Sequence, residues 1–282
     1  MQPWHAVVLG LVEGITEYLP VSSTGHLILT SALLGLDTPE QKSALAAFEI
    51  VIQGGAILAV LGLYWRRVVQ MAGGVLGRDP LGRRLLVNLV VGFLPAGLLG
   101  PLLDHPIEQH LFHPGPVLGA LFLGGVWMIW LDRRHAPTEG APLDALGWKQ
   151  ALGIGLFQCA AMWPGTSRSM MAIAGGVLLG LRATEAAEFS FLLGLPTLGG
   201  ACVYKLAKNL LASAHAGAPS LFEQLGFAPV ALGLAVAAIA AALAVRWLVG
   251  VLQRHGLAPF GWYRIALTLV LGALLATGAL SL

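Results

Sequence analysis

Long apolar stretches alternate with short polar connections along this chain. Six of the stretches meet or approach the roughly 20 residues that an α-helix needs to cross the hydrocarbon core of a membrane. They lie near residues 46–65, 85–103, 114–131, 186–204, 228–249 and 262–280. The pattern predicts an all-α polytopic membrane protein whose residues 1–282 form one integral membrane domain.

The composition agrees with a membrane location. Of the residues, 57% are hydrophobic and only 11% are charged, whereas soluble domains carry about 25% charged residues. No basic run and no alternation of basic and aromatic residues suggests a nucleic-acid partner. The sequence therefore predicts membrane lipids, and no nucleic acid, as partners, and it is compatible with a homodimer.

Lysine and arginine are distributed unevenly between the two sides of the six predicted spans. Twelve lie in or beside the connections of one side, namely Arg66, Arg67, Arg78, Arg83, Arg84, Arg133, Arg134, Lys149, Arg182, Arg246, Arg254 and Arg264. The loops of the other side contain only Lys42, Lys205 and Lys208. Because cytoplasmic connections carry an excess of Lys and Arg, the side with twelve is predicted to be cytoplasmic. The loop 104–116, which has neither residue, then faces outward.

With this orientation, the six spans can alternate only if two further segments enter the membrane and return. Residues 1–45 must begin and end outside, and residues 148–181 must begin and end in the cytoplasm. Pro20 and Pro164 lie near the middle of these segments, where a proline breaks a helix. We therefore expect two re-entrant helical hairpins, at about 4–35 and 148–181, that enter from opposite sides.

The two halves of the chain, about 1–103 and 114–282, resemble each other in sequence. Three pairs of segments align, namely residues 10–13 with 155–158, 20–23 with 164–167 and 48–51 with 189–192. Interrupted segments that recur in two halves of opposite orientation are typical of an inverted-topology repeat, whose site lies between the repeats near the membrane midplane. Chance similarity between apolar sequences is the alternative.

Polar residues concentrate at the two predicted breaks, although an ionisable group at membrane depth costs about 2.5–3.5 kcal/mol and marks a functional site by default. Glu13 and Glu17 are four residues apart and share one face of a helix. In a medium of low dielectric constant they share a proton or bind a divalent cation, unless they lie on a solvated helix face. Glu49 and Gln53 repeat this spacing inside a span. We expect this second pair to orient Glu17, His26 or a bound water.

Hydroxyl and imidazole groups complete the first break. Ser22, Ser23, Thr24 and Gly25 open a new helix, and one hydroxyl is expected to serve as its N-cap. The N-terminus of a helix also binds anions through its free N–H groups and its dipole. His26 follows directly, either as an acid, a base or a nucleophile, or as a histidine of the core.

The second break repeats the arrangement and adds a guanidinium. Gly165, Thr166, Ser167 and Ser169 surround Arg168, whose side chain can bind phosphate through two hydrogen bonds. A purely structural ion pair between Arg168 and a glutamate is the alternative. The first break would then supply acid–base groups and cation ligands while the second binds the anion, as phosphoryl transfer requires.

At these residues the chain resembles the undecaprenyl-diphosphate phosphatase family, the bacterial enzymes linked to bacitracin resistance. The resemblance covers essentially the whole length, and its anchors are residues 13–26 and 164–169. It implies hydrolysis of undecaprenyl diphosphate, a polyprenyl diphosphate lipid, to the monophosphate and phosphate, which recycles the lipid carrier for cell-wall synthesis. It also implies a multi-pass protein of the bacterial inner membrane, an active site open to the periplasmic side, and dependence on Mg²⁺ or Ca²⁺.

The resemblance also assigns roles to residues of the two breaks. The residues that match its essential positions are Glu13, Glu17, Ser23, His26 and Arg168. Residues expected to bind the substrate are Ser22, Thr24, Gly25, Glu49, Gln53, Gly165, Thr166, Ser167 and Ser169. Glu13 and Glu17 are expected to hold the cation, and the attacking group is His26, Ser23 or a water activated by His26 and Glu17. Ala172 and Ala174 stand where the family usually has hydroxyl residues.

A transporter or flippase of a polyprenyl phosphate lipid is the alternative from another functional class. Inverted repeats and broken helices are typical of transporters. Release of phosphate in detergent, where no second compartment exists, distinguishes the two functions, because a transporter alone releases none.

Overall fold

Helices form the regular structure of the chain throughout the residues that can be described. The computed structural model describes residues 2–36, 39–136, 138–216 and 225–278. In these ranges the helices are α1 Pro3–Thr16, α2 Ser23–Leu33, α3 Pro39–Leu63, α4 Trp65–Val75, α5 Pro80–Leu111, α6 Pro114–Arg134, α7 Trp148–Cys159, α8 Arg168–Leu178, α9 Ala183–Ala216, α10 Phe227–His255 and α11 Ala258–Ala276.

Several of these helices begin at residues that suit a helix N-terminus. Pro3, Pro80 and Pro114 occupy the first turns of α1, α5 and α6, where the missing N–H of proline has no intrahelical partner to lose. The side chain of Asp79 caps α5 by accepting a hydrogen bond of 2.9 Å from the backbone N–H of Gly82. Local sequence therefore fixes where these helices start.

Six segments within the described ranges are long and apolar enough to cross a membrane. They are Leu45–Leu63, Pro80–Leu103, Pro114–Arg134, Ala183–Tyr204, Phe227–His255 and Ala258–Ala276. Each overlaps one of the predicted spans. The prediction of an all-α, multi-pass membrane protein is therefore confirmed.

The predicted loops of the outward side are wrong in their extent. The helix α5 continues to Leu111, so most of the predicted loop 104–116 is helical. The backbone at positions 42, 205 and 208 likewise belongs to α3 and α9. Pro101 and Pro106 lie inside this helix, and prolines are tolerated within membrane helices when neighbouring groups satisfy the freed carbonyls.

The first helices of the two broken segments pack through glycine. The helix α1 lies so close to α10 that a Cβ on Gly14 would come within 2.4 Å of the Ala237 carbonyl oxygen. The helix α7 is equally close to α5, where a Cβ on Gly155 would come within 2.2 Å of the Gly92 carbonyl oxygen. Small residues allow this approach of two backbones, as is common between membrane helices.

The turn between α1 and α2 lies in the protein interior. Tyr18, Leu19 and Val21 are buried in one apolar cluster with Met170 and Ile173 of α8. The two breaks therefore come together inside the helix bundle, and the polar groups beside them are held at its centre.

Arginine residues link three connections at one end of the bundle. Arg67 of α4 donates to Glu188 of α9 at 2.7 Å and to Asp144, in the connection after α6, at 3.1 Å. Arg84, in the first turns of α5, donates to the carbonyl oxygens of Ala145 and Leu146. These contacts place on one side the connections that the charge distribution also predicted to share a side.

Candidate active site

The two breaks end in the same unusual backbone conformation. Ser22 has a φ of 74° and Ser167 a φ of 77°, and they are the two non-glycine residues of the described chain with a positive φ. Each is the N-cap of the helix that follows its break. A non-glycine residue in this region stores about 1–3 kcal/mol of strain and is found preferentially at functional sites. Matched strain at Ser22 and Ser167 marks the two helix N-termini as a site.

Hydroxyl groups of the second break make structural hydrogen bonds. The Oγ of Ser169 donates to the Leu19 carbonyl oxygen of the first break at 2.8 Å. The Oγ of Ser167 accepts from the backbone N–H of Met170 at 3.3 Å and lies 3.1 Å from the Oγ of Ser169. Ser167 is thus a helix cap and Ser169 joins the two breaks, in addition to the anion-binding role predicted for both.

A chain of three polar side chains runs between the two breaks. The Oγ of Ser23 donates to Oε2 of Glu17 at 2.6 Å. The other carboxylate oxygen, Oε1, accepts from Nη2 of Arg168 at 3.0 Å. The side chains of Arg168 and Glu17 are only 13% and 6% exposed, so this is a buried ion pair with a serine hydroxyl attached. The structure therefore brings together three of the five residues predicted to be essential.

The surroundings of Arg168 hold its guanidinium in one place. Its Nη1 donates to the Ser190 carbonyl oxygen at 2.9 Å, and its Cζ lies 5.3 Å from the centre of the Tyr18 ring. This is within the range of a cation–π contact. On α9, Gly194 leaves the necessary space, because a Cβ there would come within 3.0 Å of Nη1.

Several buried polar atoms around the site lack hydrogen-bond partners within the described part of the chain, and the hydroxyl groups of Tyr18 and Ser190 are among them. Oε2 of Glu13 accepts no hydrogen bond, and Nε of Arg168 donates none. Glu13 is 2% exposed and interacts electrostatically with Glu17 and Glu49. A buried polar atom without a partner is costly, so the Glu13 oxygen is an acceptor and the Arg168 nitrogen a donor that a ligand could satisfy.

Both ring nitrogens of His26 are in hydrogen-bond contact. Nδ1 lies 2.7 Å from the Ser22 carbonyl oxygen, and Nε2 lies 2.7 Å from the hydroxyl oxygen of Tyr263 on α11. His26 follows the first break in the sequence, whereas Glu17 precedes it. The two contacts of the imidazole connect α2 to α11.

Arg264 is the largest fully buried side chain of the described core, with 0% exposure. All five of its N–H groups can be assigned to carbonyl oxygens. Nη1 donates to Pro20 at 3.3 Å and Thr166 at 3.0 Å, whereas Nη2 donates to Gly165 at 2.8 Å. The remaining acceptors lie on α6, namely Ala120 at 2.9 Å and Leu121 at 3.1 Å. A single guanidinium thus holds the two breaks together.

Residues 6–270 match the protein family described as "Bacitracin resistance protein BacA". The chain belongs to this family. Among its relatives, the undecaprenyl-diphosphatase of Sorangium cellulosum is 48% identical over 267 residues, covering 94% of this chain and 83% of the relative. The undecaprenyl-diphosphatases of Acidovorax ebreus and Methylococcus capsulatus are 45% and 46% identical, each covering 94% of this chain and 92% of the relative.

Four other predicted site residues of this BacA family member have different contacts. Gly165 and Thr166 present carbonyl oxygens to Arg264. Gln53 accepts a hydrogen bond from the thiol of Cys202 at 3.2 Å. Gly25 lines a small apolar cavity beside α2. None of these four residues makes a hydrogen bond to Ser23 or Glu17 in the described structure.

The sequence prediction for Arg264 is wrong. Arg264 was counted among residues beside a cytoplasmic connection, but it lies within α11 and is buried. An arginine near the start of an apolar stretch usually flanks a membrane helix. The sequence signal that Arg264 instead points inward is the glycine of α6 that makes room for its guanidinium. A Cβ on Gly124 would come within 2.5 Å of Nη2 of Arg264. In this BacA family member, eleven rather than twelve basic residues therefore remain on the predicted cytoplasmic side.

The Gly194→Ala variant is expected to release phosphate about tenfold more slowly than the parent protein. The added methyl group would push the Arg168 guanidinium by a few tenths of an ångström, and small displacements of positioning groups cost catalysis. Gly200→Ala on the same helix is the control, because a Cβ there meets nothing within 4 Å. Equal rates in the two variants would show that the position of Arg168 does not matter.

Proposed function

We propose that this protein hydrolyses undecaprenyl diphosphate to undecaprenyl phosphate and inorganic phosphate. The observation that carries the proposal is the buried chain from Ser23 through Glu17 to Arg168, with distances of 2.6 and 3.0 Å. It joins a hydroxyl, a carboxylate and a guanidinium at the N-termini of two helices, which is an arrangement suited to a phosphorylated substrate. The relatives are named as diphosphatases, which favours hydrolysis over the transporter alternative.

The diphosphate would bind between the two breaks. The Nε–H of Arg168 is buried and lacks a partner in the described structure, so it is available to a phosphate oxygen. Beside Gly25 lies a cavity of about 90 Å³, lined mainly by apolar residues of α2 and α6 that include Ile28 and Val117. An apolar cavity next to an anion site suits a substrate with a phosphorylated head and a hydrocarbon tail.

Ser23 is the residue best placed to attack the terminal phosphorus. Because its hydroxyl already donates to Glu17, the carboxylate can accept the proton as the P–O bond forms. The bond from this phosphorus to the bridging oxygen then breaks, undecaprenyl phosphate leaves, and Ser23 carries the phosphoryl group. Hydrolysis of the phosphoserine by water releases phosphate and restores the hydroxyl.

A divalent cation, Mg²⁺ or Ca²⁺, would be held by Glu13 and Glu17 together with substrate oxygens. The described residues include no group of three or more His, Cys, Asp or Glu side chains that could hold a metal. Mg²⁺ is nevertheless often bound by one or two carboxylates plus phosphate oxygens, and the unpartnered, buried Oε2 of Glu13 fits that role. When bound, the cation would neutralise charge on the phosphate oxygens.

The two broken segments are proposed to be re-entrant hairpins of an inverted-topology repeat. The matched φ angles of Ser22 and Ser167 and the matched glycine packing of α1 and α7 support this arrangement. Eleven basic residues against three support a cytoplasmic location for the connections near Arg67. The site would then open to the periplasmic side of the inner membrane.

Purified protein in detergent is expected to release phosphate from undecaprenyl diphosphate. This activity should stop when EDTA removes divalent cations and recover when Mg²⁺ or Ca²⁺ is added.

If the terminal phosphate is radiolabelled, acid quenching should trap label on Ser23, and Ser23→Ala should carry none. A protein that moves the lipid across vesicles but releases no phosphate in detergent would refute hydrolysis and favour the transporter. A parallel quench in alkali preserves phosphohistidine, which acid destroys, and label on His26 under those conditions would instead assign the attack to the imidazole.

A further inference from the structure

The side chains of His26 and Tyr263 form a close pair across 237 positions of sequence. The hydroxyl oxygen of Tyr263 lies 2.7 Å from Nε2 of His26, and the two rings are tilted by only 7° with centroids 5.7 Å apart. On its other side, Nδ1 of His26 lies 2.7 Å from the Ser22 carbonyl oxygen. The imidazole is therefore held at both nitrogens, once by the first break and once by α11.

These contacts determine where the proton of a neutral imidazole lies. A carbonyl oxygen only accepts hydrogen bonds, so Nδ1 must carry the hydrogen that faces Ser22. Nε2 is then an acceptor, and the hydroxyl of Tyr263 is its donor. Burial of the imidazole favours its neutral form, and the nearby Arg264 guanidinium adds to this preference by disfavouring a second cation.

We propose that Tyr263 is a positioning residue for the hydrolysis and acts through His26. The inference rests on the proposed function, since it assumes that the first break is the reaction centre. By holding Nε2, Tyr263 orients the ring so that Nδ1–H bonds to the Ser22 carbonyl. Ser22 has a strained φ of 74° and directly precedes Ser23. The pair therefore stabilises the backbone that presents the Ser23 hydroxyl to Glu17.

The position of Tyr263 on the molecule is consistent with this role. Its side chain is 46% exposed, so it does not belong to the core that the fold needs. Its neighbour Arg264 joins the breaks through backbone carbonyls. Two adjacent residues of α11 thus hold the first break. Arg264 donates to the backbone carbonyl oxygen of Pro20, and Tyr263 contacts the side chain of His26.

Tyr263→Phe is the variant that tests the proposal, because it removes only the hydroxyl. We expect kcat for phosphate release to fall about tenfold, in line with the loss of one hydrogen bond, while KM stays unchanged. In protein labelled with ¹⁵N-histidine, the Nε2 resonance of His26 should move towards that of an imidazole nitrogen without a donor. His26→Asn assigns the resonance. Tyr204→Phe is the control, since Tyr204 is 66% exposed on α9.

The two readouts separate this proposal from the proposed function. An Nε2 resonance that does not move would show that the hydrogen bond is absent, and an unchanged kcat would show that it does not serve the reaction; either result overturns the positioning role. A loss of kcat shared by Tyr204→Phe would do so as well. If the parent protein released no phosphate, the proposed function would fall, while the resonance would still report on the His26–Tyr263 contact.

Discussion

Replacing Glu17 and Arg168 together by glutamine is expected to reduce phosphate release at least about a thousandfold while leaving the fold intact. The double variant loses the carboxylate that accepts the Ser23 proton and the guanidinium that binds phosphate, and each such group commonly contributes a hundredfold or more. Its stability should stay near that of the parent, because removing both partners leaves no unpaired charge inside the bundle, and such a charge is the main cost of breaking a buried ion pair.

The single variant Arg168→Gln separates structure from chemistry. It leaves the Glu17 carboxylate, whose side chain is 6% exposed, buried and unpaired, which typically costs about 3–5 kcal/mol. We therefore expect Arg168→Gln to unfold at a lower temperature than the double variant, although both are inactive. Thermal unfolding in detergent and phosphate release are measured on the same preparations.

A second ion pair provides the matched control. Arg67 and Glu188, 2.7 Å apart and away from the breaks, can be changed to glutamine in the same way, and this variant should keep phosphate release within about twofold of the parent. If the variant lacking Glu17 and Arg168 also remained active, their ion pair would be purely structural and the reaction centre would have to lie elsewhere.

Much of the framework could be predicted from the order of residues alone. Long apolar stretches specify membrane helices because of their length, and Pro20 and Pro164 specify where two further segments are broken. Charged and hydroxyl residues confined to those breaks pointed to a shared site, and the structure brings Ser23, Glu17 and Arg168 into contact.

What could not be predicted depends on contacts between helices that are distant in sequence. Glu17 and Arg168 are separated by 151 residues, and no local pattern states which glutamate meets the arginine. Gly194 aligns with Gln53 of the other half. The structure explains why a glycine stands there, because the Arg168 guanidinium occupies the space that a side chain would fill. Tyr18 belongs to the first anchor segment, but no pattern in the sequence indicates that its ring packs against the Arg168 guanidinium.

Arg264 illustrates the same limit most clearly. Near the start of an apolar stretch, an arginine ordinarily reaches back to the membrane surface, and this expectation placed it in the cytoplasmic count. Whether it faces inward depends on acceptors from two helix breaks and α6, which the fold assembles from three parts of the chain. Broken helices leave carbonyl oxygens without intrahelical donors, and the Arg264 guanidinium donates to three carbonyl oxygens of the breaks, those of Pro20, Gly165 and Thr166.

Arg264→Met is therefore expected to lower the free energy of unfolding by about 3–5 kcal/mol, since several buried carbonyl oxygens would lose their donors at about 1–3 kcal/mol each, less whatever relaxation recovers. Thermal unfolding in detergent, followed by loss of the monodisperse species, measures the change. Arg254→Met is the control, because Arg254 is exposed near the end of α10 and such substitutions usually alter stability by less than about 0.5 kcal/mol.

Arg264→Lys distinguishes the charge of this residue from its geometry. A lysine keeps the positive charge inside the bundle but offers three donors from one nitrogen instead of five from a planar fork. It cannot reach Pro20, Gly165 and Thr166 together with both acceptors on α6. We expect Arg264→Lys to be nearly as unstable as Arg264→Met. A stable and active lysine variant would mean that the breaks are held by Ser169 and Arg168, and that Arg264 contributes charge alone.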